Sequence, residues 1–191
     1  MSSAQDRLDK INQAVATCKN CPLYAMATQG VPGEGSATAK IMLIGEGPGR
    51  EEDKQGRPFC GAAGRLLDEL LASIDLKRDE VYIANVVKHR PPNNRDPKPE
   101  EVEACWPYLE AQIEAIDPKI IVTLGRHSLG RLMPGLGTIS SLHGRAFRRD
   151  GRCFMALYHP AVALYAGSMK KILMGDFKKL SILLKKIENK K

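Results

Sequence analysis

The sequence has no apolar run close to the roughly 20 residues that a membrane span needs, and residues 1–20 contain no apolar segment typical of a signal peptide. It also lacks internal repeats, low-complexity tracts and Gly/Ser linkers. Five cysteines, an odd number in a chain of this length, argue against a disulfide scaffold and favour free thiols or metal ligands. These absences predict a cytoplasmic protein that folds without a disulfide framework.

What is present fits one folded unit. The chain has 191 residues, of which 43% are hydrophobic and 27% charged, and this is enough apolar material for one continuous core. We therefore expect a single domain over residues 1–191 that acts as a monomer. The net charge of +7 is compatible with a polyanionic partner such as nucleic acid, although many basic proteins bind none.

Short strand-like runs alternate with helical patterns along the chain. The strand-like runs are residues 39–44, 81–87, 119–124, 146–149 and 152–158. The last two flank Asp150-Gly151, a strong hairpin-turn signal. Helical spacing marks the segments before Cys18, after Gly61, over 98–116, over 126–133 and near the C-terminal lysines. This alternation predicts an α/β fold with a mostly parallel sheet covered by helices on both faces.

Ligands of such sheets bind beyond the carboxyl ends of the strands. The residues that follow predicted strands here are Gly45, Glu46, Asn85, Gly125 and His159, and we expect them to converge. Pro160 ends the strand pattern directly after His159, a position that favours a functional histidine over a structural one. We interpret His127 as a surface residue or helix cap. His143, in a polar loop, either contacts phosphates or has no such role.

Residues 45–49, with the sequence GEGPG, form a glycine-rich turn after the first predicted strand. The turn is not a dinucleotide fingerprint, because Pro48 and Arg50 break the G-x-G-x-x-G pattern, and it lacks the Gly-Lys-Ser/Thr ending of a Walker loop. It presents free N–H groups and the Glu46 carboxylate at a strand end. A plain loop remains the alternative.

Cys18 and Cys21 have the C-x-x-C spacing of a metal-ligand pair, and Cys105 is a third, distant thiol. A redox pair is disfavoured because Cys18 follows a helical pattern, whereas a thioredoxin-like pair would follow a strand. The candidates for a fourth ligand are His89, Cys60 and Cys153. Spacing alone fits a Cys3His zinc site and an iron–sulfur cluster equally well.

Taken together, these segments resemble the family 4 uracil-DNA glycosylases, the iron–sulfur type of the uracil-DNA glycosylase superfamily. The motifs that carry the resemblance are Cys18-x-x-Cys21-Pro-Leu, Gly45-Glu-Gly-Pro-Gly, Glu52-Asp53, Gly56-Arg-Pro-Phe59, Asn85-Val-Val-Lys88, Arg90-Pro-Pro-Asn-Asn-Arg95, Cys105, Leu124-Gly125 and His159-Pro-Ala161. The match covers nearly the whole chain. Each motif alone is modest, but the ordered set is specific.

The resemblance implies an enzyme of base excision repair that hydrolyses the N-glycosidic bond of deoxyuridine in DNA. It also implies a single three-layer domain, with a central four-stranded parallel sheet flanked by helices, and a [4Fe–4S] cluster near the DNA-binding face. Such an enzyme must flip uracil out of the base stack, read its edge, and stabilise the negative charge that the departing base acquires.

The resemblance assigns a role to each residue of the predicted site. Phe59 stacks on the flipped base, and the Asn85 amide pairs with uracil O4 and N3–H and rejects cytosine. His159 donates to uracil O2, with help from the N–H of Gly47. Glu46 positions the attacking water or stabilises the cationic sugar.

The resemblance also implies ligands and DNA contacts. The metal ligands are Cys18, Cys21, Cys105 and His89, although family 4 members typically carry cysteine at the last position. The covalent X-type relatives carry histidine there, but this chain lacks their inserted basic loop, so we expect ordinary turnover. The expected DNA contacts are Arg90, Arg95, Arg145 and Leu164. Leu164, or its neighbour Tyr165, is the expected wedge in the gap that the flipped base leaves.

Two other functions stay open at this point. One is a non-catalytic DNA-binding module of the same fold, and the other is a Cys3His zinc protein that binds nucleic acid. The joint presence of Glu46, Phe59, Asn85 and His159 favours the enzyme, because a module without turnover has little reason to keep all four.

Overall fold

A computed structural model describes residues 2–189, where strands and helices follow one another in the predicted alternation. The strands are β1 (Glu34–Gly35), β2 (Ile41–Gly45), β3 (Tyr82–Asn85), β4 (Ile120–Leu124), β5 (Arg145–Arg149) and β6 (Arg152–Leu157). The helices are α1 (Ala4–Ala16), α2 (Arg50–Gln55), α3 (Ala62–Ala72), α4 (Pro99–Ile116), α5 (Arg126–Leu132), α6 (Ile139–Leu142), α7 (Val162–Tyr165) and α8 (Ser168–Glu188). Short 3-10 turns occur at Pro22–Ala25, Arg78–Glu80 and Pro92–Asn94.

The described strands form one sheet in the spatial order β1-β3-β2-β4-β6-β5. The four central strands, β3, β2, β4 and β6, are parallel, as expected for the predicted four-stranded core. The edge strands β1 and β5 pair antiparallel to their neighbours, so the complete sheet is mixed and six-stranded rather than four-stranded. The α/β class and the parallel four-stranded centre are confirmed, and the two edge strands extend that centre.

The predicted hairpin joins β5 to β6. Asp150 and Gly151 both have positive φ, +50° and +76°, as a two-residue type I′ turn requires. This turn sets the register that pairs Arg145 with Ala156. Arg145 therefore lies beside the carboxyl end of β6, at the edge of the sheet where the functional residues are expected.

Helices cover both faces of the sheet. Strands β2 and β4 are buried at every position, which is typical of parallel strands enclosed on two sides. Leu8 of α1 and Leu109 of α4 belong to the core on one face, while Leu70 of α3 and Phe177 of α8 belong to the core on the other. In the described part of the chain, no helix has both the length and the apolar composition to cross a membrane.

Candidate active site and metal ligands

A pocket of about 310 Å³ opens at the carboxyl edge of the parallel strands. It contains six of the predicted site residues, namely Glu46, Gly47, Phe59, Asn85, Arg95 and His159. A larger groove of about 920 Å³ lies near the amino ends of β2 and β3 and contains none of them. The convergence predicted from the strand ends is therefore observed for Glu46, Asn85 and His159.

Asn85 is the last residue of β3 and pairs with Gly45 at the end of β2. Its side chain is buried, and its Oδ1 has no hydrogen-bond partner. A Cβ at position 45 would lie 2.5 Å from this Oδ1 and 2.7 Å from the Phe59 ring, so glycine leaves the room that the amide and the ring occupy. A buried acceptor without a partner is costly, and a ligand N–H would remove that cost.

Lys88 holds the backbone of Asn85 in place. Its side chain is fully buried, and Nζ donates to the Asn85 carbonyl at 2.9 Å and to Gln112 Oε1 at 2.7 Å. Burial lowers the pKa of Lys88 to about 7. These bonds fix the backbone of the strand end against α4, which carries Gln112.

The backbone of Phe59 is held in a left-handed conformation that residues other than glycine rarely adopt. Its φ is +48°, and its ring stacks on the His159 imidazole with centroids 5.3 Å apart and planes inclined by 29°. Arg78 donates through Nη1 to the Phe59 carbonyl at 3.2 Å. A Cβ at Gly64 of α3 would lie only 1.7 Å from the same carbonyl oxygen. Strained backbone of this kind persists where its surroundings hold it, often at functional sites.

We expect Gly64→Ala to lower the free energy of unfolding by roughly 1–3 kcal/mol, because the new methyl group overlaps the Phe59 carbonyl. Denaturant unfolding measures the effect. Gly175→Ala in α8 is the matched control, since nothing lies within 4 Å of its added Cβ and helix propensity predicts a gain of up to about 1 kcal/mol. Equal stability of Gly64→Ala and the wild type would contradict the tight contact.

His159 has a defined tautomer. Its Nδ1 accepts the Ala161 N–H at 3.2 Å, so the proton of the neutral ring lies on Nε2. Burial lowers the pKa of His159 to about 4, and the Glu52 carboxylate opposes this only in part. Above about pH 5 the ring is therefore neutral and keeps its Nε2–H donor.

Glu52 also fixes the segment that follows Phe59. Its Oε1 accepts the N–H groups of Cys60 and Gly61 at 3.0 and 2.9 Å. Sequence analysis recognised Glu52 only as a member of a motif, because its contacts join α2 to the start of α3. The spacing of residues within either helix could not have predicted these contacts between them.

Glu46 follows β2 and is half-buried at the pocket wall. Burial raises the pKa of its carboxyl above the ordinary value, while the nearby His127 acts in the opposite direction. His127 Nε2 lies 3.6 Å from Glu46 Oε2 and 3.2 Å from Asp96 Oδ1. His127 was interpreted as a surface residue or cap, and its half-exposed ring also contacts a residue of the pocket, which the sequence did not indicate.

A family model described as the uracil DNA glycosylase superfamily matches residues 32–179. A protein named type-4 uracil-DNA glycosylase from Sulfurisphaera tokodaii is 49% identical over 184 residues, which cover 92% of this chain and 84% of that protein. The chain belongs to the type-4 family of uracil-DNA glycosylases. Proteins of the same name from Archaeoglobus fulgidus and Thermotoga maritima are 46% and 40% identical, over 93% and 97% of this chain and 94% and 99% of their own lengths.

The type-4 uracil-DNA glycosylase chain buries the side chains predicted as metal ligands. Cys18, Cys21 and Cys105 are buried free thiols, and His89 is buried with its Nδ1 lacking a hydrogen-bond partner. The N–H of Lys88, adjacent to His89, points at Cys105 Sγ from 3.4 Å. Burial raises the pKa of Cys105 to about 11, and the neighbouring thiols of Cys21 and Cys18 add to the increase. A bound cation would reverse this effect by stabilising the thiolates.

The spacing of these side chains bears on the kind of metal group that fits. Among residues 2–189, only Glu46, Asp96 and His127 form a group of three or more Cys, His, Asp or Glu side chains whose ligand atoms all lie within 4.8 Å of one another. In a tetrahedral zinc site with bonds of about 2.3 Å, ligand atoms lie about 3.8 Å apart. No three of the side chains of Cys18, Cys21, His89 and Cys105 meet the 4.8 Å limit in the described residues. As a donor set, three thiols and an imidazole suit zinc and an iron–sulfur cluster alike.

Three arginines of the glycosylase were predicted to contact DNA. Arg145 is exposed at the start of β5, and the Arg90 Nε donates to Asn94. Arg95 lines the pocket, but its guanidinium bonds both oxygens of the Glu101 carboxylate, at 2.8 and 2.6 Å. Glu101 is only 2% exposed, so Arg95 also has a structural role that the sequence did not indicate.

The predicted wedge lies on α7, directly after His159-Pro160-Ala161. Leu164 is 49% exposed and its neighbour Tyr165 is 92% exposed, which is unusual for large apolar side chains. Helix α7 begins directly after Ala161, which lines the pocket.

Proposed function

We propose that this protein excises uracil from DNA by hydrolysing the N-glycosidic bond, leaving an abasic site for base excision repair. The single observation that carries the proposal is the buried, unpartnered Oδ1 of Asn85 in a pocket shared with Phe59 and His159. The names of the curated relatives support the same activity. We further propose that residues 1–191 form one domain that works as a cytoplasmic monomer.

Base recognition rests on the Asn85 amide. Its Oδ1 accepts uracil N3–H and its amide N–H donates to O4, so both polar groups of that edge are paired. Cytosine presents an amino group and an unprotonated N3 at the same positions, and both would face groups of the wrong kind. Phe59 supplies the stacking surface beneath the base, in the position fixed by Arg78 and Gly64.

Departure of the base is assisted by His159. Its Nε2–H donates to uracil O2, where negative charge increases as the glycosidic bond breaks. The ring is neutral at working pH and gives no proton away, so it stabilises the uracil anion by a hydrogen bond. The N–H of Gly47, in the same pocket, adds a second donor.

Glu46 acts on the sugar side. As a carboxylate it either accepts a proton from the attacking water or stabilises the positive charge that develops on the deoxyribose. Both roles need the ionised form, whose stability depends on the charged groups around it. Glu46 and His159 are thus the proposed catalytic residues.

We propose that Cys18, Cys21, His89 and Cys105 hold a [4Fe–4S] cluster. The free thiols and the unpartnered His89 Nδ1 support this assignment. When bound, the cluster ties the segment after α1 to the segment after β3 and to α4, and it supplies no step of the hydrolysis. The residues themselves place Asn85 within four positions of His89.

DNA contacts are proposed for Arg90, Arg95, Arg145 and Leu164. Arg90 precedes Pro91, which lines the pocket, and Arg145 is exposed at the start of β5, and positive charge of this kind attracts phosphates. Arg95 is proposed to contact DNA as well, although its guanidinium also donates to the Glu101 carboxylate. Leu164 is proposed to enter the base stack where uracil has left it.

Incubation of the purified protein with an oligonucleotide that contains one uracil, followed by alkaline cleavage, tests the function. We expect strand cleavage at the uracil position and none in matched oligonucleotides with thymine or cytosine there. The Asn85→Ala variant serves as the negative control for contaminating glycosylases. Absence of cleavage in both single-stranded DNA and a U·G duplex would refute the proposal, and covalent capture of the DNA would favour the X-type reaction.

A further inference from the structure

Lys88 is a fully buried lysine whose two side-chain hydrogen-bond acceptors are both uncharged oxygens. Its Nζ donates to the Asn85 carbonyl at 2.9 Å and to Gln112 Oε1 at 2.7 Å. An ammonium carries three N–H groups and a neutral amine carries two, so both bonds are available in either form. Lysine is almost never fully buried, and the cost of burying its amine indicates that these two bonds have a specific use.

The register of the sheet explains why the Asn85 carbonyl needs a side-chain donor. Beside the start of β3, the Ser36 N–H donates to the Val81 carbonyl, and the antiparallel pairing of β1 with β3 continues from there. Bonded positions of such a pair recur at every second residue, so the same register places Pro32 opposite Asn85 as a bonded pair. Proline has no N–H to donate. The Lys88 amine supplies the donor that the neighbouring strand lacks.

Lys88 thereby fixes one side of the peptide unit that joins Asn85 to Val86. On the other side, the Val86 N–H donates to the Gly45 carbonyl of β2 at 3.0 Å. The two polar groups of this planar unit point in opposite directions, so the two bonds together set its orientation. The Cα of Asn85 belongs to this unit, and the side-chain Oδ1 has no protein partner that could orient it. The direction of the amide therefore depends on the backbone that carries it.

We propose that Lys88 is a positioning residue for base recognition, which sets the direction of the Asn85 amide through its backbone. The proposal rests on the proposed role of Asn85 in reading uracil. Gln112 holds the amine from α4, since it is itself buried and its Nε2 donates to the Pro32 carbonyl at 2.8 Å. Lys88 does not line the pocket, so its effect on uracil passes through Asn85.

A double-mutant cycle tests this role through the single-turnover excision rate on saturating uracil DNA. Lys88→Met keeps the length of the side chain and the backbone N–H but removes both side-chain bonds. We expect a rate about 10-fold lower, the upper end of the range for one hydrogen bond. In the Asn85→Ala background no amide is left to orient, so the same substitution should lower the residual rate by less than about 2-fold. A merely structural role would lower both rates by the same factor.

Arg7→Met is the matched control, because Arg7 Nη2 also donates to a backbone carbonyl, that of Ala115 in α4, at 2.9 Å and outside the pocket. Its excision rate should equal that of the wild type. Gln112→Met is the second variant should Lys88→Met fail to fold, because it removes the anchor of the amine and should also lower the rate only where the Asn85 amide is present.

Three results would overturn the inference. They are an equal loss with and without the Asn85 amide, a Lys88→Met rate equal to that of the wild type, and an equal loss in Arg7→Met. Absence of excision by the wild type would instead refute the proposed function itself.

Discussion

Replacing Asn85 with aspartate is expected to lower the rate of uracil excision by roughly 10²–10³-fold and to admit cytosine at a low rate. An ionised carboxylate accepts hydrogen bonds only, so it faces uracil O4 with the wrong polarity. In its protonated form the side chain offers one donor and one acceptor, which match cytosine N3 and N4. Single-turnover excision on matched uracil and cytosine oligonucleotides measures both effects.

Asn85→Ala distinguishes lost recognition from altered recognition. It should lose uracil activity to a similar extent and gain none on cytosine. Neither variant breaks an intramolecular bond to Oδ1, because that atom has no partner in the free protein. We therefore expect Asn85→Ala to change thermal stability less than Gly64→Ala does, whereas Asn85→Asp buries an unpaired carboxyl group and should be less stable than Asn85→Ala. Full uracil activity in Asn85→Asp would show that another residue reads the base.

The second large effect is expected at the proposed cluster. Cys105→Ala should lose most of the bound iron and the brown colour, and should lower the free energy of unfolding by an amount on the order of 5 kcal/mol, since metal binding free energy is also folding free energy. Cys105 is buried in α4 next to the Lys88 N–H, so its loss removes the anchor between two elements. Iron analysis, visible absorbance and denaturant unfolding measure these changes.

His89→Cys is the informative partner of that variant. A thiolate in place of a neutral imidazole makes the cluster more negative, so iron should be retained and the reduction potential should fall. Cys60→Ala is the control, because the backbone N–H of Cys60 is bonded to Glu52 beside the pocket. Bleaching by Cys60→Ala but not by His89→Ala would replace His89 with Cys60 as the ligand. A colourless protein with stoichiometric zinc would contradict the cluster altogether.

Elements with strong periodicity could be predicted from the sequence. The buried central strands, α4 and the type I′ turn at Asp150 are encoded locally, by apolar runs, helical spacing and a residue pair suited to positive φ. Strand β1 could not be predicted, because two residues, Glu34 and Gly35, carry no pattern. The apolar pattern also extended β3 to residue 87, whereas the strand ends at Asn85 and the next two valines remain buried outside it.

The residues of the candidate site also fall into those that the sequence could predict and those that it could not. Glu46, Asn85 and His159 could be identified because each follows a strand, and the topology of a parallel sheet brings strand ends together. Gly64, Arg78 and His127 act through contacts with a different element, across distances in sequence that no motif records. The contact of His127 with Glu46 shows the limit most clearly, since Glu46 is 81 positions earlier in the chain.

Because the contacts around Phe59 fix its ring, they affect which form of uracil-containing DNA the enzyme would process fastest. Arg78, Gly64 and the stacked imidazole fix the ring during folding, so little entropy remains to be lost when a base arrives. The main free-energy cost then lies in the DNA, in breaking a base pair and its stacking. A uracil in a single strand or a mismatch has less to break. The rate of excision would therefore follow how easily each uracil leaves its base stack, with single-stranded and mismatched uracil ahead of paired uracil.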